Sequence, residues 1–323
     1  MTPTDVRVSV VIPMLNEERN IPPLFERLFP VLHGLGETFE VVVIDDGSTD
    51  RTLELLQEAR KKYPELRFLS FARNFGQHAA VLAGFEASRG EWVITLDADL
   101  QNPPEEIPKL VAAFRQGHDL VNTYREGRQD TLFRLAASGL TNYMVRRFSG
   151  ITLSDFGCML RGYHRDIVAP MIRRKEFRTF IPALAMLYAC SPCEVPVRHS
   201  ARERGASNYS LFKLLSLQLD LVTSFSITPL RTLFILGWII GFAGVGFGVL
   251  LGVLRLVYDA HWAAEGVFTL FAILFFFIGA QFLAFGLLGE YIGRIYQEVR
   301  NRPTYLLRKL DDRETGDKPD NAK

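Results

Sequence analysis

The stretch EWVITLDADLQNPPEEIP, residues 91–108, decides how the rest of the chain is read. Trp92-Val93-Ile94-Thr95-Leu96 is a short apolar run with a β-branched centre, the pattern of a buried strand. It ends in Asp97-Ala98-Asp99, two carboxylates one residue apart at the strand's carboxyl end. Asn102, two prolines and Glu105 then make a helix start of capping-box type. Ligands of open α/β sheets sit just beyond the carboxyl ends of strands. Carboxylates there supply the hard oxygen ligands that Mg2+ or Mn2+ shares with a substrate's phosphates. A lone DxD is more often a solvated turn. The strand before it, the capped helix after it and the amide oxygen of Gln101 favour metal ligation by Asp97, Asp99 and Gln101.

Outward from this unit the pattern repeats. Val6 to Pro13, Phe39 to Ile44, Leu66 to Phe71 and Asp119 to Tyr124 read as further strands, with helical spacing between them. The first strand is continuously apolar, as a strand covered on both faces should be. Strands alternating with helices mean βαβ units, and the expected fold class is α/β with a mainly parallel sheet.

Polar residues gather after each strand: Asn16 and Glu17, Asp45 and Asp46, Arg73, then Asp97 and Asp99. Any one cluster reads as an ordinary turn, but four on one rim suggest a site. Acidic side chains at such a rim accept hydrogen bonds from ribose hydroxyls or a base N–H. Neither G-x-G-x-x-G nor G-x-x-x-x-G-K-[ST] occurs, so phosphate charge must be met by a metal and by arginine. Formal net charge is +1, from 37 basic and 36 acidic residues, which leaves no electrostatic case for nucleic acid. Cys158, Cys190 and Cys193 cannot all pair, and the Cys190–Cys193 CxxC lacks a second pair for zinc. With no secretory leader before the first strand, the domain is expected in the reducing cytosol.

VSVVIPMLNEE, VVVIDDGSTD, RNFGQHAA and LDADLQNPPEEIP together resemble a family-2 glycosyltransferase of the polyprenyl-phosphate sugar synthase group. The resemblance runs from about Val8 to Tyr305. It implies a nucleotide-diphospho-sugar-binding, glycosyltransferase A-type fold. It also implies a donor site of Pro13, Asn16, Glu17, Asp46, Asp97 and Arg202, with Asp46 on the uracil or ribose side. Asp99 and Gln101 would then lie on the Mg2+ or Mn2+, and Asp99, Asp155 and Arg134 would serve the chemistry.

The middle of the chain is rich in arginine. Guanidinium forks suit phosphate oxygens, and Ser138 lies one helical turn beyond Arg134. R-x-x-x-S resembles the family's acceptor-phosphate motif, which implies that Arg134 and Ser138, with Arg125, hold an acceptor phosphate. SDFGCMLR at 154–161 is similar to the segment closing the floor of the site, where Asp155 is either a base or an orienting group. HSARERGASNYS at 199–210 is similar to a loop covering the donor, with Arg202 on phosphate and Gly205 as hinge. Ala206-Ser207-Asn208 departs from the commoner Glu-Ser-Lys there, which shifts any lysine role onto Arg202 or Arg204.

The last third changes character. Thr232 to Leu254 and Gly266 to Gly289 carry no charged side chain, and each is long enough to span a bilayer. Arg294, Arg300, Arg302, Arg308 and Lys309 follow the second run, against Arg255 alone in the loop, so both ends are expected inside. The expected organisation is a cytoplasmic catalytic domain at 1–208, interfacial amphipathic helices at 209–230, two transmembrane helices within 231–290, and a cytoplasmic segment with a disordered tail at 291–323. Catalysis beside a bilayer suits a bilayer-borne acceptor. The full resemblance implies inverting transfer from a nucleotide diphosphate sugar (a UDP-sugar) to undecaprenyl phosphate at the bacterial inner membrane, by a homotetramer. DFGCMLRGY and WAAEGVF through GLLGEYIGRIY point to the branch that transfers 4-deoxy-4-formamido-L-arabinose. The alternatives are an undecaprenyl- or dolichyl-phosphate glucosyl- or mannosyltransferase and a catalytically inactive membrane scaffold.

Overall fold

The computed structural model describes residues 6–125, 155, 158–174, 181–198, 228–257, 267–299 and 304–308. The chain divides into two compact units, an α/β unit that also includes the segment 304–308, and a unit of two long helices.

The α/β unit runs β1 (Val8–Met14), α1 (Ile21–His33), β2 (Phe39–Asp45), α2 (Thr52–Lys62), β3 (Leu66–Ser70), α3 (Gln77–Ala87), β4 (Trp92–Thr95), a 3-10 turn (Pro104–Glu106) and α4 (Ile107–Arg115). It continues with β5 (Leu120–Arg125), β6 (Arg161–His164), α5 (Arg165–Arg174), α6 (Ile181–Tyr188) and β7 (Pro192–Val197). The strands form one sheet in the order β3-β2-β1-β4-β6-β5-β7. β1 pairs in parallel with β2 and β4, β2 with β3, and β5 with β7. Among the described strands β6 is the one that runs antiparallel to its neighbours, inserted between β4 and β5.

Alternation along each central strand explains why both faces are covered. Val8, Val10, Ile12 and Met14 of β1 join the core beneath α1, α2 and α4, while Val11 joins the core on the α3, α5 and α6 side. Trp92 and Ile94 of β4 divide from Val93 in the same way. On the second face α3 approaches β1 so closely that a Cβ on Gly84 would lie 2.2 Å from Val11 Cγ1. The chain order reverses on either side of β1, where β2 lies on one flank and β4 on the other. In doubly wound sheets that is where a ligand crevice opens.

One local expectation is corrected. Asn102 does not cap the following helix: the turn starts from Pro103 with no side-chain cap. Asn102 is instead buried, accepting from Cys158 Sγ at 3.5 Å, and Glu105 is engaged by Arg27 through bonds of 2.9 and 2.8 Å. Tertiary partners outcompete the local box.

The second unit holds α7 (Thr228–Val257) and α8 (Val267–Val299). Among the described residues no helix is long and apolar enough to cross a membrane. The segment expected to span at 232–254 lies within α7, and residues 267–289 of the second expected span lie within α8. Many of their described side chains are apolar and exposed, including Phe234, Trp238 and Phe242, whose rings follow one another along α7 at 6.0 Å, edge-on, and 5.1 Å, tilted. A groove of about 640 Å³ in this unit is lined by Leu233, Gly237, Trp238 and Gly241 of α7 and Ala284 and Leu288 of α8.

Candidate active site

The turns after β1 and β2 are laced together by side chains the sequence places there. Asp46 N–H donates to the Met14 carbonyl at 2.8 Å, Asn16 N–H to Ser48 Oγ at 2.9 Å, and Thr49 N–H back to Asn16 Oδ1 at 2.9 Å. Glu17 N–H donates to Thr52 Oγ1 at 2.9 Å, and Glu17 Oε2 accepts from Asn20 Nδ2 at 2.6 Å. Asn16 holds φ at 56°, a left-handed value that asparagine tolerates better than most residues. Pro13, buried in β1, pairs with Ile44 of β2.

Asp45 and Asp46 are both buried, yet they face different tasks. Asp45 accepts from Ser48 N–H at 3.0 Å and Ser70 Oγ at 2.7 Å, which makes it a structural bracket. Asp46 accepts from the Phe75 and Gly76 N–H groups at 2.7 and 2.9 Å, one on each carboxylate oxygen. Burial pushes its carboxyl above the ordinary range and the charge of Asp45 adds to this, while the two amide bonds oppose it. Gly47 makes the arrangement possible. Its φ is +73°, and a Cβ there would lie 2.4 Å from the Arg73 carbonyl carbon and 2.7 Å from Asn74 N.

The loop between β3 and α3 thus reaches across to β2, and its next residue reaches β4. Gln77 Nε2 donates to Asp97 Oδ1 at 2.9 Å. Asp46, Phe75, Gly76, Gln77 and Asp97 form one connected rim around the switch point at β1. Asp97, Asp99 and Gln101 are half-buried, and Asp99 Oδ1 accepts from Gln101 N–H at 3.1 Å. Leu100 between them has φ of 60°, a left-handed conformation that costs a leucine about 1 kcal/mol or more.

Among the described residues no group of three or more His, Cys, Asp or Glu is placed to hold a metal. The donor set of two carboxylates and one amide still fits Mg2+ or Mn2+. Such ions bind through one or two carboxylates and complete their shell with water and substrate phosphate.

Across the sheet, β5 and the segment before β6 bring two further expected residues together. Arg125 Nε and Nη2 donate to Asp155 Oδ2 and Oδ1 at 2.6 and 3.0 Å, a bidentate pair with Asp155 buried. Beneath it lies Arg161, almost wholly inaccessible. It donates to the Cys158 carbonyl at 2.8 Å, Asn122 Oδ1 at 2.5 Å and the Asp155 carbonyl at 2.8 Å. Arg134, Ser138, Arg202 and Arg204 lie outside the described residues.

Three features of this region escaped the sequence. The Gln77–Asp97 bond had no signal beyond the polar RNFGQ turn. The buried Arg161 sits in RGYH, which has no strand pattern. The use of backbone amides by Asp46 was legible only in the glycine at 76. Cys158, Cys190 and Cys193 are all free thiols, and burial raises the Cys158 thiol's pKa.

A family model, Glycosyl transferase family 2, matches residues 9–170. The undecaprenyl-phosphate 4-deoxy-4-formamido-L-arabinose transferase of Pectobacterium atrosepticum is 52% identical over 304 residues, covering 94% of this chain and 93% of that protein. The protein of the same name from Photorhabdus laumondii is 50% identical over 314 residues, covering 96% of each. Among solved structures, glucosyl-3-phosphoglycerate synthase from Mycobacterium tuberculosis, in complex with Mn2+, UDP-glucose and phosphoglyceric acid, is 20% identical. It covers 68% of this chain and 79% of that one, with a TM-score of 0.46.

Proposed function

The chain belongs to glycosyl transferase family 2, and on that premise we propose that it transfers 4-deoxy-4-formamido-L-arabinose from its UDP-sugar to undecaprenyl phosphate. The enzymes it matches over nearly its whole length carry that activity in their names. The observation that carries the reading is the connected rim from Asp46 through Gln77 to Asp97, set at the carboxyl ends of β2 and β4 on either side of β1. That is where a nucleotide with a ribose, a base and a diphosphate would lie.

Asp46, Asn16, Glu17 and Pro13 face the nucleoside end of the donor, and Asp97, Asp99 and Gln101 hold the divalent metal. When bound, that ion neutralises charge on the departing diphosphate. A lipid phosphate monoester is already an oxyanion near neutral pH, its second ionisation lying at about 6. It needs no general base to attack. The protein's work is to aim that oxygen at the anomeric carbon and to offset repulsion between two anions. Arg134 and Ser138 hold the acceptor phosphate and Arg202 closes over the donor, giving single-step displacement with inversion. Asp155 orients Arg125, since both its oxygens accept from one guanidinium.

The acceptor's location sets the role of the second unit. We assign α7 and α8 to the bilayer, with the first unit and both termini on the cytoplasmic side of a bacterial inner membrane. Helices of 30 and 33 residues are about 45 and 50 Å long, and their described apolar side chains are exposed. The organisation at 1–208, 209–230, 231–290 and 291–323 and assembly as a homotetramer belong to the same proposal. A cysteine introduced at Ala260 should react with an impermeant reagent outside the cell, and one at Thr315 should not. The reverse pattern would remove the enzyme from its nucleotide-sugar supply.

The direct test is a panel of nucleotide sugars offered to purified protein with undecaprenyl phosphate and Mg2+ or Mn2+, the lipid product being weighed by mass spectrometry. The formamido-arabinosyl lipid phosphate is the expected product. A hexosyl product alone would favour the glucosyl- or mannosyltransferase, and no product from any donor would favour the scaffold.

A further inference from the structure

Residues 304–308 follow α8 in the chain, yet they are part of the α/β unit. They lie along the outer side of β3, the edge strand of the sheet. Ala72 N–H donates to the Leu306 carbonyl and Arg308 N–H to the Ser70 carbonyl, both at 2.8 Å, around an antiparallel bridge between Phe71 and Leu307. The ring of Tyr305 stacks on Phe71 at 4.7 Å and 13°, and its hydroxyl donates to Glu86 of α3 at 2.5 Å. Burial and that acidic partner push the Tyr305 pKa up, so the hydroxyl stays a donor.

Phe71 meets Phe75 edge-on at 5.7 Å, and Phe75 is the residue whose N–H holds Asp46. Residues 72–74 are exposed, so this loop has little core of its own to hold it. It is held by Asp46, the Gly47 backbone and Asp97 on one side, and by Phe71 and the 304–308 segment on the other, with Phe75 partly packed on the core between them. We infer that 304–308, acting through Tyr305, is a positioning element for the donor site, holding 72–77 in the shape that presents the Phe75 and Gly76 amides to Asp46 and Gln77 to Asp97. A mere cover for the edge of β3 would need the backbone bonds. It would not need an aromatic ring stacked one residue from the donor loop and tied to α3. The inference rests on the donor reading above.

The test uses the full-length chain with Tyr305→Leu, which keeps apolar bulk but loses the stack, and Tyr305→Phe, which loses only the hydrogen bond. Amide exchange in the ligand-free protein reads the loop without reference to any substrate. Tyr305→Leu should speed exchange at Phe75, Gly76 and Gln77. It should also raise the donor KM about three- to tenfold, the equivalent of one aromatic pair, with lipid KM and kcat steady. Tyr305→Phe and Glu86→Ala, the latter at an exposed helix position, remove the same bond. They should match each other at about a twofold rise. Wild-type protection at 75–77 in Tyr305→Leu, or equal rises in donor and lipid KM, would overturn the inference. A mismatch between Tyr305→Phe and Glu86→Ala would do the same. Binding of UDP to the wild-type chain is titrated separately and reports on the donor reading alone.

Discussion

Asp155 gives both of its carboxylate oxygens to a single guanidinium, that of Arg125, at 2.6 and 3.0 Å. The Asp155 carbonyl is held from below by Arg161. Under the proposed function a carboxylate so engaged orients Arg125 and does not accept a proton in the reaction. Asp155→Asn should cost about 3 kcal/mol of stability, because it removes one charge of a largely buried bidentate ion pair. Turnover should fall with acceptor affinity, while the shape of the pH–rate profile stays that of the wild type. Loss of a carboxylate titration from the profile, with acceptor binding intact, would make Asp155 a base after all.

Asp99→Asn should leave the fold intact, since Asp99 is half-buried in a rim turn and its Oδ1 bond to Gln101 N–H can be kept by an amide oxygen. Transfer should drop about 10²- to 10³-fold, the usual consequence of losing one electrostatic partner of a developing charge. Chelation of divalent metal should abolish transfer in the wild type. Turnover near the wild-type rate at saturating metal and donor would remove Asp99 from the site.

Gly47→Ala tests whether the donor rim depends on a close backbone approach. The left-handed φ of +73° is poor for alanine, and the new Cβ would overlap the Arg73 and Asn74 backbone. The loop must retreat from Asp46, at a cost of about 1–3 kcal/mol. UDP affinity should fall together with the thermal midpoint. An unchanged midpoint and unchanged UDP affinity would show that the contact is not needed.

Asp46 sets a pH dependence with a definite sign. Burial, reinforced by the charge of Asp45, holds its carboxyl above the ordinary 3.8, so the folded chain binds this proton more tightly than the unfolded chain. Its contribution to stability therefore falls as pH rises from 3.8 through the folded value and is level above it. Glu105 has the opposite sign, its pKa being lowered chiefly by its hydrogen bond to Arg27, but it is common to both proteins compared. The difference in thermal midpoint between wild type and Asp46→Asn, followed across the acid range, should shift in favour of the variant as pH rises. A pH-independent difference would count against this account of Asp46.

Local pattern determined most of the scaffold. β1, β2, β3, β4 and β5 fall within about two residues of their expected bounds, because buried parallel strands are written as continuous apolar runs and their turns as polar clusters. The rim was legible for the same reason: Asn16, Asp46, Asp97 and Asp99 each lie within four residues of a strand's carboxyl end. β6 and β7 were not legible. RGYH has no apolar run, and PCEVPV carries prolines tolerated because β7 lies at the edge of the sheet. Tertiary structure alone decided who holds whom. Asp46 finds its amides 29 and 30 residues away, Asp155 its arginine 30 away, and Tyr305 its glutamate 219 away. Periodicity reports which side of an element faces the core. It carries no information on partners at that separation, which are fixed only when the sheet order brings the strand ends together.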